Sequence, residues 1–155
     1  MKILIYTQCF APKLGGIESV MTNIATQASN KNYKITVLAD GSKIKSSSFD
    51  TKQKFEIYRF DQLKFLRKKI KSNFASNQIK KEKFDMIYYD SWKSLEGFNE
   101  KINAKKICLV HGNEILNLGK KERIIDSLSK SDKIIFNSFF TQKLFLKNFK
   151  GFPKK

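Results

Sequence analysis

Blocks of apolar residues alternate with polar blocks along the chain, and their spacing changes in a regular way. The first block, Lys2–Thr7, is rich in β-branched and aromatic residues, which is typical of a buried strand. From residue 17 to residue 28, apolar residues recur every three or four positions and predict one face of a helix. The loop between them, residues 8–16, contains a proline and ends in two glycines. The chain therefore begins with a predicted strand, glycine-bearing loop and helix.

The same alternation continues to the carboxyl end of the chain. Five further β-type runs predict strands at Tyr33–Ala39, Phe55–Phe60, Phe84–Tyr89, Lys106–Val110 and Lys133–Phe136. Helical spacing predicts four more helices: one with an inward stripe of Leu63, Leu66, Ile70 and Phe74, a short one from Trp92 to about Ile102, one from Lys120 to Lys130 with Ile124, Ile125 and Leu128 inward, and one from Ser138 to near Phe149. Asp61 and Ser138 are the predicted N-caps. Residues 42–53 are polar and serine-rich, and they predict a mobile loop.

Strands that alternate with helices from end to end predict an α/β fold with a Rossmann-like, doubly wound parallel sheet. We expect one domain over residues 1–150, with 151–155 as a tail or the start of a linker. Ligands of such sheets bind at the carboxyl ends of the strands. Polar clusters follow four of the predicted strands, at Gly15-Gly16, Asp90-Ser91, His111 to Glu114 and Asn137-Ser138. These clusters predict a site at that edge.

The glycine-bearing loop predicts anion binding, because glycines admit a ligand close to backbone N–H groups and a helix N-terminus favours negative charge. A dinucleotide fingerprint needs three spaced glycines, and this loop has only Gly15 and Gly16. A tight turn without a ligand is the alternative.

His111 is the only histidine, and it directly follows a predicted buried strand. There it could donate to a hydroxyl or phosphate oxygen or stabilise a leaving group, or it could simply bond to the local backbone. Glu114 could orient His111, accept from a sugar hydroxyl, or be a first-turn helix charge. Asp90 could be a general base or a cap, and Trp92 could stack on a ring or lie in the core. One histidine without an adjacent carboxylate pair does not predict a metal site.

Composition narrows the protein class. With 41% hydrophobic and 13% aromatic residues in a chain of 155, we expect a folded domain. No apolar run approaches the roughly 20 residues of a membrane span. The two cysteines form neither a metal spacing nor a disulfide scaffold, and no signal peptide is visible, so we expect a cytoplasmic setting.

The formal net charge of +17 comes from 31 Lys and Arg residues against 14 Asp and Glu residues. Such an excess suggests an anionic partner, namely nucleic acid, acidic lipid or a phosphorylated ligand. The predicted helix after Asp61 and the residues that follow it are especially basic, with Lys64, Arg67, Lys68, Lys69, Lys71, Lys80, Lys81 and Lys83. A solvated helix face and a biased genome composition are the alternative explanations.

Three of these segments together resemble one enzyme family. Pro12 with Gly15-Gly16-Ile17-Glu18 is similar to the N-terminal loop of family 4, GT-B-fold retaining glycosyltransferases. His111-Gly112-Asn113-Glu114 looks like their His-Gly-x-Glu loop, and residues 131–138 look like a later strand that ends in serine. The order and the spacing of the three segments agree with the N-terminal half of that fold.

The resemblance implies transfer of a sugar from a nucleotide-sugar donor, without a metal or other cofactor. It implies that His111 contacts the transferred sugar as the catalytic residue. The remaining residues are assigned to donor or acceptor binding: Gly15 and Gly16 at the donor diphosphate or the acceptor, Asn137 and Ser138 along the cleft, Asp90 and Ser91 toward the acceptor, together with Glu18 and Glu114.

The resemblance also implies a second Rossmann-like domain that binds most of the donor, in the same chain or a separate one. We therefore expect the 155-residue chain alone to be nearly inactive. Members of the family commonly build cell-surface polysaccharide or lipopolysaccharide on lipid-linked acceptors, which would place the basic helix at the anionic inner face of the cytoplasmic membrane. Two alternatives stay open: an NAD-type oxidoreductase in which Asp40 binds a ribose, and a basic, non-catalytic nucleic-acid binder, for which no specific motif is present.

Overall fold

The computed structural model of the chain describes residues 1–96 and 102–153. Over these residues six parallel strands alternate with helices, which confirms the predicted α/β fold. The strands are β1 (Lys2–Thr7), β2 (Lys34–Asp40), β3 (Glu56–Phe60), β4 (Met86–Tyr89), β5 (Lys105–Val110) and β6 (Lys133–Phe136). The helices are α1 (Gly16–Asn30), α2 (Lys43–Asp50), α3 (Lys64–Lys81), α4 (Trp92–Leu95), α5 (Lys121–Ser129) and α6 (Phe139–Asn148). No described helix is both long enough and apolar enough to cross a bilayer.

The strands are ordered β3-β2-β1-β4-β5-β6, so the order reverses between β1 and β4. The chain runs outward from β1 to β3, crosses back, and then runs outward from β4 to β6. In doubly wound sheets the crevice beyond the carboxyl ends of the two strands at this reversal is the usual place for a ligand. Here those ends are Thr7 of β1 and Tyr89 of β4.

The sheet separates two apolar clusters, one on each face. On one face, Met21 and Ala25 of α1 pack with Ile5 and Val37. On the other, the cluster includes side chains from the strands and from α5 and α6, such as Leu128. The central strands are therefore buried on both faces, as parallel strands usually are.

The prediction of a mobile loop over residues 42–53 was wrong, because α2 lies within these residues. Ser42 is its N-cap, and its hydroxyl accepts a hydrogen bond from Lys45 N at 3.4 Å. Ser46 is buried, and Phe49 packs against the core. Serine near a helix start caps the backbone as readily as it forms a loop, so composition alone misled the prediction. Asp61 was also wrongly predicted as a cap, since Leu63 holds the N-cap position of α3 without a side-chain bond.

The predicted inward stripe of α3 was largely wrong. Leu63, Leu66 and Ile70 are 69%, 43% and 40% exposed, and only Phe74 packs against the core. The buried positions are Lys71 and Ala75. Lys71 Nζ donates to the carbonyl of Thr7 at 2.8 Å, so a satisfied ammonium replaces an apolar side chain on the inward face. A pattern that assigns charged residues to solvent cannot foresee this.

The remaining differences concern element lengths. Helix α4 ends at Leu95, Ile102 is not helical, and the predicted residues 97–101 lie outside the described part of the chain. Two short 3₁₀ turns, Asn113–Ile115 and Leu118–Lys120, separate β5 from α5 and were not predicted. The prediction for Ser138 is confirmed, because its hydroxyl accepts from Thr141 N at 3.1 Å.

Candidate functional site

A cleft of about 880 Å³ opens at the carboxyl edge of the sheet. It includes seven of the predicted site residues, which are Gly16, Glu18, Asp90, Ser91, His111, Glu114 and Asn137. Gln8, Cys9, Ile17, Val20, Lys93 and Asn113 complete its lining. The other two predicted site residues, Gly15 and Ser138, do not line the cleft. Four segments that are far apart in sequence therefore meet at the reversal of strand order.

Asp90 ties the two strands at this reversal together. Its Oδ2 accepts hydrogen bonds from Gln8 N at 2.7 Å, from Cys9 N at 3.2 Å and from the Thr7 hydroxyl at 2.9 Å. Its Oδ1 accepts from the Ser94 hydroxyl at 2.5 Å. The loop after β1 is thus fastened to the start of α4 by one carboxylate.

This arrangement makes Asp90 a brace for the cleft rather than its general base. The residue is only 2% exposed, and both of its carboxylate oxygens are used by bonds within the chain. A general base needs a free oxygen within reach of the proton it removes. The neighbouring Ser91 is also buried, and its hydroxyl lies 3.5 Å from Asp90 Oδ1. The roles of Ser94 and Thr7 as partners of Asp90 were not predicted, because their spacing in sequence does not indicate that they bind the same carboxylate.

The start of α1 already holds a negative charge of its own. Glu18, the third residue of α1, is buried, and its carboxylate fills the place that a Cβ on residue 15 would take. Its Oε1 is 3.3 Å from Lys13 Nζ. A glutamate at this position of a helix compensates the unpaired N–H groups and the positive end of the helix dipole. A ligand anion would therefore displace Glu18 or bind beside it, where Gly16 has open space.

A buried arginine holds the loop before α1 in place. The Arg59 guanidinium donates to both carboxylate oxygens of Asp50, at 3.0 Å through Nε and 2.6 Å through Nη2. Nη2 also donates to the carbonyl of Ala11, and the guanidinium lies 5.5 Å from the centre of the Phe10 ring. Bidentate pairing of this kind fixes geometry as well as charge. Sequence reasoning missed this support, since Arg59 is 48 residues away from the loop it holds.

The His111 ring presents an unused nitrogen. Burial lowers the pKa of His111, and a hydrogen bond to the Asp90 backbone with the nearby Asp90 charge opposes this shift only in part. The ring is therefore neutral at physiological pH. Nε2 is buried and has no hydrogen-bond partner among the described residues, so Nδ1 makes the bond to Asp90. In that tautomer Nε2 carries a lone pair that can accept a hydrogen bond from a hydroxyl group, and since the atom is buried, the His111 ring has to turn toward the cleft for a ligand to reach it.

The backbone around His111 is locked against the start of α6. Gly112 has φ of 96°, and a Cβ there would lie 3.2 Å from the Thr141 hydroxyl. That hydroxyl donates to Asn137 Oδ1 at 2.7 Å, and Asn137 Nδ2 donates to the carbonyl of His111 at 3.4 Å. Ser138 supports the same corner as the N-cap of α6. Asn137 and Ser138 thus position the histidine loop, and only Asn137 reaches the cleft.

Glu114 combines a structural bond with a titratable side chain. Its Oε1 accepts from His111 N at 3.2 Å. Burial raises the pKa of Glu114 to about 7, with the Asp90 charge adding to the shift and the His111 bond opposing it. Glu114 can therefore gain or lose a proton near neutral pH. Its carbonyl accepts from Trp92 Nε1 at 3.3 Å, and Trp92 lies in the core rather than in the cleft lining.

In an NAD-type oxidoreductase Asp40 would bind a ribose, but its carboxylate forms ion pairs with two basic side chains. Lys71 Nζ lies 2.5 Å from Oδ1, and Arg67 Nε lies 3.0 Å from Oδ2. A ribose diol would have to replace these bonds. Over residues 1–96 and 102–153, no three His, Cys, Asp or Glu side chains come together in a way that could hold a metal ion.

Comparison of the sequence with protein-family models finds no match, and comparison with curated proteins finds no significant similarity.

Proposed function

We propose that this chain is the N-terminal, acceptor-side domain of a GT-B-type retaining glycosyltransferase that resembles family 4. One observation carries the proposal. Each of the three segments on which the resemblance rests contributes side chains or backbone to the crevice where the strand order reverses, through residues 16–18 of the first, His111, Asn113 and Glu114 of the second and Asn137 of the third. A parallel sheet of this kind uses that crevice for ligands, so the resemblance and the physical expectation agree on one place.

The cleft offers hydroxyl-binding chemistry suited to a sugar. His111 Nε2 is a buried acceptor without a partner among the described residues. Asn137 and Gln8 add amide groups to the same lining, and Glu114 adds a carboxyl whose pKa lies near neutrality. A sugar presents several hydroxyl groups that both donate and accept, and an array of mixed acceptors and donors can satisfy them. In our proposal His111 contacts the transferred sugar, and Glu114 and Asn137 orient it or the acceptor.

The donor nucleotide is assigned to a second Rossmann-like domain, in the same polypeptide or in a partner. The anion site at the start of α1 is consistent with this division, because Glu18 already supplies the negative charge there. Tight diphosphate binding by this domain alone is therefore not expected. We predict that the 155-residue chain transfers sugar at no more than background rate, whereas turnover at a rate normal for such enzymes would contradict the division of labour.

Binding to the cleft can be tested without turnover. We would titrate a panel of saccharides and nucleotide sugars into the ¹⁵N-labelled chain and follow the amide resonances. The proposal predicts shifts at Gln8, His111 and Asn137, and their loss in His111→Ala. Lys52→Gln, an exposed substitution without an ion-pair partner among the described residues, is the control. Saccharides that shift no cleft resonance, combined with NAD binding near Asp40, would contradict the proposal and favour the oxidoreductase.

An anionic membrane surface is the proposed location of the acceptor. The first turns of α3 expose Phe65 and Leu66 beside Lys64, Lys68 and Lys69. Interfacial helices typically insert apolar side chains into the headgroup region, while neighbouring lysines pair with acidic lipid. We expect the chain to bind phosphatidylglycerol vesicles and Phe65→Ser to weaken this. Binding that ignores both anionic lipid and salt concentration would contradict the assignment.

A further inference from the structure

A second, smaller pocket lies beside the cleft, and two of its lysines, Lys64 and Lys68, are also among those assigned above to the membrane surface. Its volume is about 130 Å³, and it is lined by Tyr6, Gln8, Asp40, Lys64, Arg67, Lys68, Lys71, Lys93 and Ser94. We call it the basic pocket. Gln8 and Lys93 line both the basic pocket and the cleft, so the two spaces are neighbours. A single ligand can therefore reach both.

The basic pocket carries an excess of positive charge that the chain does not neutralise. Five cationic side chains line it against one carboxylate, that of Asp40. Asp40 is shared between Lys71 and Arg67 Nε, as described above. Within the described residues, Lys64 and Lys93 make no ion pair, whereas Lys68 pairs with Glu96 at 2.9 Å.

Two of these cations are held in fixed positions. Lys71 is 2% exposed, and its ammonium is fixed by Asp40, by the Thr7 carbonyl and by the Tyr6 ring at 4.5 Å. Arg67 is oriented by its bond to Asp40. Its outer guanidinium nitrogens remain available as a planar pair of donors. A preformed charged wall costs less conformational entropy on binding than freely rotating lysines would.

The size and chemistry of the pocket fit one phosphate group. Guanidinium and ammonium groups are the usual partners of phosphate oxygens, and the guanidinium can bind two oxygens at once. A volume of about 130 Å³ exceeds the minimum for a single water molecule about tenfold, which leaves room for a small tetrahedral anion but not for a nucleotide. Bringing an anion among cations that repel each other also relieves their repulsion.

We propose that the basic pocket binds the phosphate group of a phosphorylated sugar acceptor, whose sugar extends past Gln8 into the cleft. The inference rests on the proposed function for the identity of the sugar end, and it adds the class of acceptor. Phosphate in the basic pocket and a hydroxyl near His111 would orient the acceptor from two points. Acceptors without phosphate would lose one of these points.

The test compares a hexose 6-phosphate, the free hexose and inorganic phosphate by calorimetry and amide NMR. We expect the hexose phosphate to bind at least tenfold more tightly than either fragment and to shift the resonances of Lys64, Arg67 and Lys93. The variant Lys64→Gln/Lys93→Gln is expected to lose at least tenfold in affinity for it. Lys52→Gln/Lys133→Gln removes the same charge from exposed sites elsewhere and is expected to change the affinity less than twofold.

Three results would overturn the proposal. Equal weakening by both double variants would show that only the overall charge attracts phosphate. A hexose phosphate that binds no better than inorganic phosphate would separate the basic pocket from the acceptor. Binding of phosphatidylglycerol vesicles that depends on Lys64 and Lys93, together with no binding of the hexose phosphate, would assign the pocket to a lipid headgroup. In each case, binding of unphosphorylated saccharides near His111 tests the proposed function separately.

Discussion

Replacing Asp90 with alanine removes the brace that joins β1 to β4 at the cleft. In the structure this carboxylate accepts from the backbone N–H groups of Gln8 and Cys9 and from the hydroxyl of Ser94. The Thr7 hydroxyl is shared between Asp90 and the carbonyl of Cys9, at 2.9 and 2.7 Å. Its single proton can therefore turn to the carbonyl when the carboxylate is lost.

The expected cost follows from the donors that lose their partner. Among the described residues, Gln8 N and the Ser94 hydroxyl are the two donors without an alternative, because Cys9 N also donates to the Thr7 hydroxyl oxygen at 2.9 Å. Each unsatisfied, partly buried donor costs roughly 1–3 kcal/mol, and water can reach some of them at the cleft. Relief from burying an ion offsets part of this cost. From two such donors and this offset, we expect Asp90→Ala to lower the free energy of unfolding by about 3 kcal/mol.

Asp85 provides a matched control at the opposite end of β4. Its carboxylate also accepts from a backbone N–H of β1, that of Lys2 at 2.7 Å, but Asp85 is exposed, and among the described residues this is the one hydrogen bond that its carboxylate accepts. Asp85→Ala changes the net charge by the same amount and is expected to cost only about 1 kcal/mol. Urea unfolding followed by the fluorescence of Trp92, the single tryptophan, measures both variants.

Asp90→Asn separates loss of charge from loss of shape. One amide oxygen can keep the bonds to the loop after β1, while the amide nitrogen faces Ser94, whose hydroxyl can turn to accept. We expect this variant to lie between wild type and Asp90→Ala. If Asp90→Ala and Asp85→Ala differ by less than about 1 kcal/mol, the brace does not stabilise the fold as argued.

Two further predictions concern the histidine loop. Because the pKa of Glu114 is raised to about 7 from 4.5, the stability linked to its protonated form is present below pH 4.5 and is lost as the pH rises through 7. Between pH 5 and pH 8, the free energy of unfolding should therefore fall by about 2 kcal/mol more in the wild-type chain than in Glu114→Gln. Equal decreases in the two proteins would contradict the raised pKa of Glu114. Gly112→Ala should cost about 1–2 kcal/mol, because φ is 96° and Thr141 leaves only 3.2 Å, whereas Gly16→Ala, with open space around it, should cost less than about 0.5 kcal/mol. Equal costs in urea unfolding would show that Gly112 is not under this constraint.

The fold could be predicted from sequence because its buried strands are continuous apolar runs. Runs such as Lys2–Thr7 are apolar on both faces, and the helix that starts at Gly16 has a regular inward stripe. The failures occurred where polar side chains enter the interior. Lys71 lies inward because Asp40 and the Thr7 carbonyl satisfy it, and no periodic pattern encodes a pairing across 31 residues.

The residues that line the candidate site were largely predictable from sequence, but their contacts were not. Position after a strand identified His111, Glu114 and Asn137, because the topology brings the carboxyl ends of parallel strands to one edge. Roles depend on contacts that sequence does not show. Asp90 looked like a candidate base until its oxygens were found to be occupied, and Glu18 fills the start of α1 where a ligand anion was expected.

Crystals of the chain soaked with a phosphorylated sugar and, separately, with a nucleotide sugar would show directly whether the cleft binds sugar. We expect sugar density in the cleft, with a hydroxyl within hydrogen-bond distance of His111 Nε2 and contacts to Glu114 and Asn137. Density for a dinucleotide against Asp40, or sugar bound only away from the cleft, would contradict it.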